Sequence, residues 1–242
     1  MTRHVMLDNV THKNLRVIRD YASVPAYDVN VARVFPSEFI QLQTEYPLFF
    51  IRNKEAGNFE PVALLGFSDK ENLYLDETGW DAGYVPLSIE RGPFLIGFQE
   101  RDVDGVPTRA PVVHIDLDHP GVSETEGERV FLPHGGESPL LEHISSVLMT
   151  IHQGYEAAKS LSEMLVGLDL IESLAVEVEL RGGAKQSLKG LYTINEDKLQ
   201  GLNASALESL HRKGHLRDVY MMLASLPNVA RLIERKNRRL PD

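Results

Sequence analysis

The hydrophobic period of this chain changes at Ser138, and that change points to an α+β arrangement. From there Leu141, Ile144, Leu148, Ile151, Tyr155, Ala158, Leu161 and Leu165 recur at threes and fours, the spacing of one helix face. Ser138 can cap this helix, Pro139 suits its first position, and Gly154 is its one weak point. A long helix with a single apolar stripe needs a surface to cover, and the residues before it supply a sheet.

Between Glu38 and Phe98, short apolar runs alternate with Gly, Asn, Asp and Pro, which predicts a β-meander with one long loop. Strands are expected at 48–52, 62–67, 73–75 and 94–98, and a short helix capped by Ser37 ends before Tyr46–Pro47. Residues 1–35 read as extended or irregular, with one short strand around Val29, Val31 and Val34. The clearest alternation lies at 110–118, with Val113, Ile115 and Leu117 on one face and His114, Asp116 and Asp118 on the other. A short strand is expected at 130–132. Beyond the long helix, alternating Leu174, Val176, Val178 and Leu180 lead through a turn at 181–184 into a return strand at 187–194. Asn195 and Asn203 are placed as caps of two short helices, followed by helices through Leu216–Leu226 and through Leu232 and Ile233. The expectation is a single domain over 1–242, with residues 1–135 mostly β and 136–242 mostly α with one β-hairpin. Its antiparallel, meander-rich sheet is covered by the long helix.

A net charge of −10 argues against a nucleic-acid surface, which needs clustered cations. Arg231, Arg235, Lys236, Arg238 and Arg239 are a local exception. They read as a solvated helix end complementing the helix dipole, with docking of an acidic partner as the alternative. The absence of cysteine excludes disulfides, zinc-thiolate sites, iron–sulfur clusters and thiol nucleophiles. No secretory apolar core and no run of roughly 18 uninterrupted apolar residues is present, so a cytoplasmic chain without membrane insertion is expected.

Trp80, Tyr84, Tyr46 and Asn72 form one candidate constellation, since aromatics with polar tips on a loop beside a sheet suit a small-molecule or peptide pocket. Plain packing is the alternative. His114 and Asp116 have the spacing of two ligands in a non-haem iron triad, with His119, His134, His143 or His152 as a third; the plainer reading is a polar strand face. Ser138 lies near His134 and Glu137, but a helix cap explains it better than a nucleophile does. Gly-rich phosphate loops and a Gly-x-Ser-x-Gly elbow are absent from the sequence.

The succession EFIQLQTEYPLFF, ALLG, ENLYLDETGWDAGYVPLSI and PFLIGF, then HIDLDHPGVS, GERVF, GGESPLL, LKGLYTINEDKLQGL and GHLRDVYMMLASL, resembles the SapC-like family of bacterial proteins over nearly the whole chain. That family takes its name from a surface-layer association, and its relatives lie near flavin-dependent tryptophan halogenases, cupin-like proteins and outer-membrane receptors. The resemblance implies an accessory role in surface or nutrient-uptake physiology, and it points to Asp116 rather than to His114. Where the family shows a basic pair and Tyr before Pro-Phe, this chain has Glu90, Arg91 and Gly92, so a ligand touching that segment would be recognised differently. The expectation is a non-catalytic binding or accessory protein without a cofactor, serving a peptide, an amino acid or a protein partner, with a homodimer as a further option. The rival is an iron-dependent enzyme using His114 and Asp116. A structural surface-layer component is weaker, because no export signal is seen.

Overall fold

The computed structural model describes residues 3–103, 106–181, 183 and 185–240. Its strands are β1 (His4–Met6), β2 (Arg16–Val17), β3 (Val31–Arg33), β4 (Leu48–Arg52), β5 (Phe59–Leu64), β6 (Leu75–Asp76) and β7 (Gly79–Trp80). They continue with β8 (Phe94–Val103), β9 (Val106–Asp116), β10 (Val122–Ser123), β11 (Glu128–Arg129), β12 (Ile171–Glu179) and β13 (Lys185–Ile194). The helices are α1 (Phe39–Leu42), α2 (Leu87–Glu90), α3 (Pro139–Gly167), α4 (Glu196–Gln200), α5 (Ala204–Arg212), α6 (His215–Ser225) and α7 (Asn228–Arg239). The fold is α+β with antiparallel sheets. Among the described residues no helix is long and apolar enough to cross a membrane.

The chain forms two compact units: Met1–Tyr27 with Glu77–Trp80 and Leu87–Gln153, and Asp28–Asp76 with Asp81–Pro86 and Gly154–Asp242. In the first, β9 lies between β1 and β8. The alternation read from the sequence sets its faces: Ile115 is fully buried, and Val113 and Leu117 pack against the same core as Phe94, Phe131, Leu141, Ile144 and Leu148. β2 is flanked by β10 and β11 in a second small sheet. The strand expected to run to Asp118 ends at Asp116, whose carboxylate accepts the Asp118 N–H (3.1 Å) and whose carbonyl accepts the His119 N–H (3.2 Å). Those bonds turn the chain out of the sheet. Upstream, the β8–β9 hairpin extends well past the apolar residues that announced it, through 99–103 and 106–109.

In the second unit the sheet order is β12-β13-β4-β5-β3. The predicted hairpin is present as β12 and β13; of the turn expected at 181–184, Gly182 and Ala184 lie outside the described residues. Asn195 and Asn203 cap α4 and α5 by accepting from Lys198 N (2.8 Å) and Ala206 N (2.9 Å). Ser37 does not cap the short helix. The Glu38 carboxylate reaches back to the Phe35 N–H (2.9 Å) instead, across a 3₁₀ turn opened by Pro36, and Ser37 is exposed. The segment at 73–75 is also not a strand, for Leu73 and Tyr74 sit in a buried turn and pairing begins only at Leu75. A short strand expected at 130–132 reduces to β11 one step earlier and a single bridge at Phe131.

The basic helix end is solvated only in part: Arg231, Arg238 and Arg239 are exposed, yet four of the five cations also bind the chain. Arg235 donates to the Asp81 carboxylate (2.5 Å) and carbonyl (2.8 Å) and lies over the Tyr74 ring at 4.5 Å. Lys236 pairs with Glu71, Arg231 donates to Thr44 O (2.8 Å), and Arg239 donates to Asn72 O and Leu73 O (both 3.0 Å). These cations satisfy carbonyls of an irregular loop that lacks a ladder to satisfy them.

Candidate ligand-binding site

Within the first unit a cavity of about 760 Å³ opens where sheet, loop and helix diverge. β1 is only three residues long, and after Leu7 N donates to Val113 O (2.9 Å) the chain leaves β9. Asp8 makes it leave: its Oδ1 accepts from Val10 N (2.9 Å) and Thr11 N (2.7 Å), a side-chain turn that ends a strand. Asn9 Nδ2 then donates to Gly135 O (2.8 Å), tying this turn to the loop between Phe131 and Glu137. That loop is closed by Leu132 N to Gly136 O (2.8 Å), and Gly135 sits at φ 92°, a left-handed conformation that suits glycine. Ser138 follows at once and caps α3 through its Oγ and Leu141 N (3.2 Å), as the sequence predicts.

Ile96, Val113, Phe131, Leu141 and Leu148 give the cavity its apolar wall. Asp8, Asn9, Gln99, Glu137 and Ser145 give it a few polar groups, and Ser145 Oγ donates back to Leu141 O (2.8 Å). Thr11 N–H holds the Asp8 carboxyl below its ordinary range, so this group carries charge at neutral pH. The lining residues include no histidine, lysine or arginine. Volume and polarity fall within the range of small-ligand sites.

The match to known proteins covers the same ground. The SapC family model matches residues 7–232. The chain belongs to the SapC family. No curated protein and no solved structure matches it. The SapC match takes in the cavity from Leu7 to Met149, and every candidate residue singled out from the sequence.

Those candidates lie elsewhere than the cavity of this SapC chain. Tyr46 is fully buried, stacks on Tyr74 with centroids 4.4 Å apart, and donates its hydroxyl to Tyr84 O (2.5 Å). Asn72 is 2% exposed, and its Oδ1 accepts from Tyr74 N (3.0 Å). Tyr84 donates its hydroxyl to Glu38 Oε2 (3.2 Å). Trp80 meets Tyr21 edge-on at 5.7 Å, and Tyr21 meets Tyr27 at 5.0 Å. None of Tyr46, Asn72, Trp80, Tyr84 and Asp116 lines the 760 Å³ cavity. Glu90 and Arg91, at the departure from the family pattern, are held internally: Glu90 contacts His143 Nε2 (2.8 Å) and Arg91 donates to Phe94 O (2.8 Å).

His114 and Asp116 share the outer face of β9, opposite Met6 and His4. Asp116 Oδ2 lies 3.7 Å from His4 Nε2, and its Oδ1 is used in the turn above. Among the described residues no three His, Asp or Glu side chains are grouped to hold a metal ion. Sequence reasoning passed over one further polar cluster. Ser160 Oγ lies 3.1 Å from His215 Nε2, and His215 Nδ1 lies 3.4 Å from Asp218 Oδ2. The order resembles a hydrolase relay, but His215 and Asp218 are 5% and 4% exposed, and none of the three lines a described cavity. It ties α3 to α6 as a buried polar link.

Proposed function

We propose that this SapC-family chain is a non-catalytic binding protein, an accessory component that holds the apolar part of a peptide, amino acid or protein partner in the 760 Å³ cavity. The observation that carries this reading is the composition of the cavity wall: mostly apolar side chains with a few polar groups among them. The aromatic set around Tyr46 supports it less, because a fully buried ring has no surface left for a ligand.

A dye whose fluorescence rises in apolar sites tests the reading, with Ser145→Phe as the blocked variant. Ser145 is on the cavity side of α3 and a benzyl group there fills space. Dye enhancement is expected for the unmodified chain and loss of most of it for the variant, with the circular dichroism of both alike. Equal enhancement in both would place the dye elsewhere and remove the support for this cavity.

A further inference from the structure

Among the described residues of the first unit the large apolar side chains left in solvent gather at one place, whereas Ile40, Tyr155, Val166 and Tyr220 are exposed in the second unit. Met6 (45% exposed) and Met149 (37%) line the cavity, and three more sit next to its lining. Phe98 (39%) pairs with Pro111 and adjoins Gln99, Leu132 (46%) follows Phe131, and Val10 (77%) follows Asn9. An apolar hollow with an apolar margin marks a surface that meets another macromolecule. Methionines at such a margin adapt to a partner's shape.

Charge narrows the partner. The cavity lining carries two carboxylates, Asp8 and Glu137, and no cation. Two basic side chains near its margin are engaged: Arg109 lies over the Phe98 ring at 5.3 Å, and His12 Nδ1 accepts the Asp8 N–H (3.1 Å). A ring nitrogen that accepts this hydrogen bond cannot at the same time donate to Asp8 Oδ2, 3.3 Å away. The backbone narrows it further. Among the described residues, no strand pairs with the β9 edge at 110–112 beyond Leu7, and Pro111, whose ring has no N–H, stands where an added strand would need a donor. A helix brings its own backbone bonds and needs none from the edge.

We propose that the occupant of the cavity is the apolar face of a basic amphipathic helix belonging to a partner protein, with its cations against Asp8 and Glu137. This rests on the binding reading above and names the class of partner.

The test uses the full chain labelled at the methionine methyls, so that Met6 and Met149 report on the cavity. The probes are a Leu/Lys peptide of about fourteen residues, four helical turns, patterned to be amphipathic; the same composition scrambled; a Leu/Glu counterpart; and octanol. The expected result is a shift of the Met6 and Met149 signals by the Leu/Lys helix, with the scrambled and Leu/Glu peptides about tenfold weaker or worse. Asp8→Asn with Glu137→Gln should weaken the Leu/Lys helix about threefold to tenfold, since Asn keeps the oxygen that caps the turn. Glu137→Gln alone serves as a second variant that leaves the turn untouched. Equal binding of the Leu/Glu or scrambled peptide at Met6 and Met149, or an unchanged affinity in both variants, overturns the basic-helix proposal and leaves the binding reading standing. So does a shift by octanol alone. If neither octanol nor any peptide moves those two signals, both readings fall.

Discussion

The Phe35 ring fills the space into which a side chain at Gly154 would project: a Cβ there would lie 2.7 Å from Phe35 Cγ and 2.8 Å from Phe35 Cβ. Phe35 is 1% exposed and meets Tyr155 edge-on at 5.1 Å, so it cannot step aside. The helix's weak point by propensity is therefore a contact point by packing. Gly154→Ala gains up to about 1 kcal/mol in helix propensity and loses about 1–3 kcal/mol to overpacking. A net loss of stability is expected in urea unfolding. Phe35→Leu in the same chain should recover part of it, and a Gly154→Ala protein as stable as the parent would show that Phe35 gives way.

Arg235 is the centre of the contact between α7 and the loop around Asp81, combining a bidentate contact with a ring contact. Lysine retains the charge but not the planar fork. Arg235→Lys should cost about 1 kcal/mol, since the Arg235 side chain is mostly buried while Asp81 is well exposed. Hydrogen exchange of the Asp81 amide, which donates to Tyr74 O (2.7 Å), should quicken. Unchanged exchange there would mean that the guanidinium does not hold the loop.

What could be read from the sequence was what neighbouring residues determine. The caps at Ser138, Asn195 and Asn203 are local, since each needs only a side-chain oxygen and an amide three residues on. The core face of β9 and the β12–β13 hairpin follow from alternation alone. The cavity was not readable, because its wall is assembled from four separated stretches near residues 6–9, 96–99, 111–113 and 131–149. Nor does a sequence distinguish a tyrosine whose hydroxyl meets a ligand from Tyr46, whose hydroxyl meets the Tyr84 carbonyl. The basic run at 231–239 was legible only in part for the same reason: charge and exposure are visible in the sequence, and the carbonyls that Arg231 and Arg239 meet are not.

Burial pushes the Tyr27 phenol up to about 12, from an ordinary value near 10. Tyr21 and Tyr74 are pushed upward for the same reason. Between those pH values the native state keeps a proton that the unfolded chain has lost, so stability falls as pH rises. For one such group the slope approaches about 1.4 kcal/mol per pH unit, and the contribution is intact below about pH 10. Tyr27→Phe should flatten the loss of stability between pH 10 and 12 without abolishing it, because Tyr21 and Tyr74 still titrate. Urea midpoints measured across that range would decide it, and an identical slope in the variant would mean that Tyr27 ionises as freely in the fold as out of it.

Ser138 connects helix stability to the cavity. Its Oγ satisfies one otherwise unpaired amide at the start of α3, and its own N–H donates to Val130 O (3.3 Å), beside the loop that bounds the mouth. Leu141, Ser145, Leu148 and Met149 of the same helix then line the hollow. Ser138→Ala should cost about 1 kcal/mol, and Ser138→Thr, which retains an acceptor, much less. The loss should be felt locally first, as faster hydrogen exchange over residues 140–142 and a broader Met149 methyl signal, because the first turn frays before the helix does. A serine acting as a nucleophile would give the opposite ranking, with both variants inactive toward an activated ester and neither less stable.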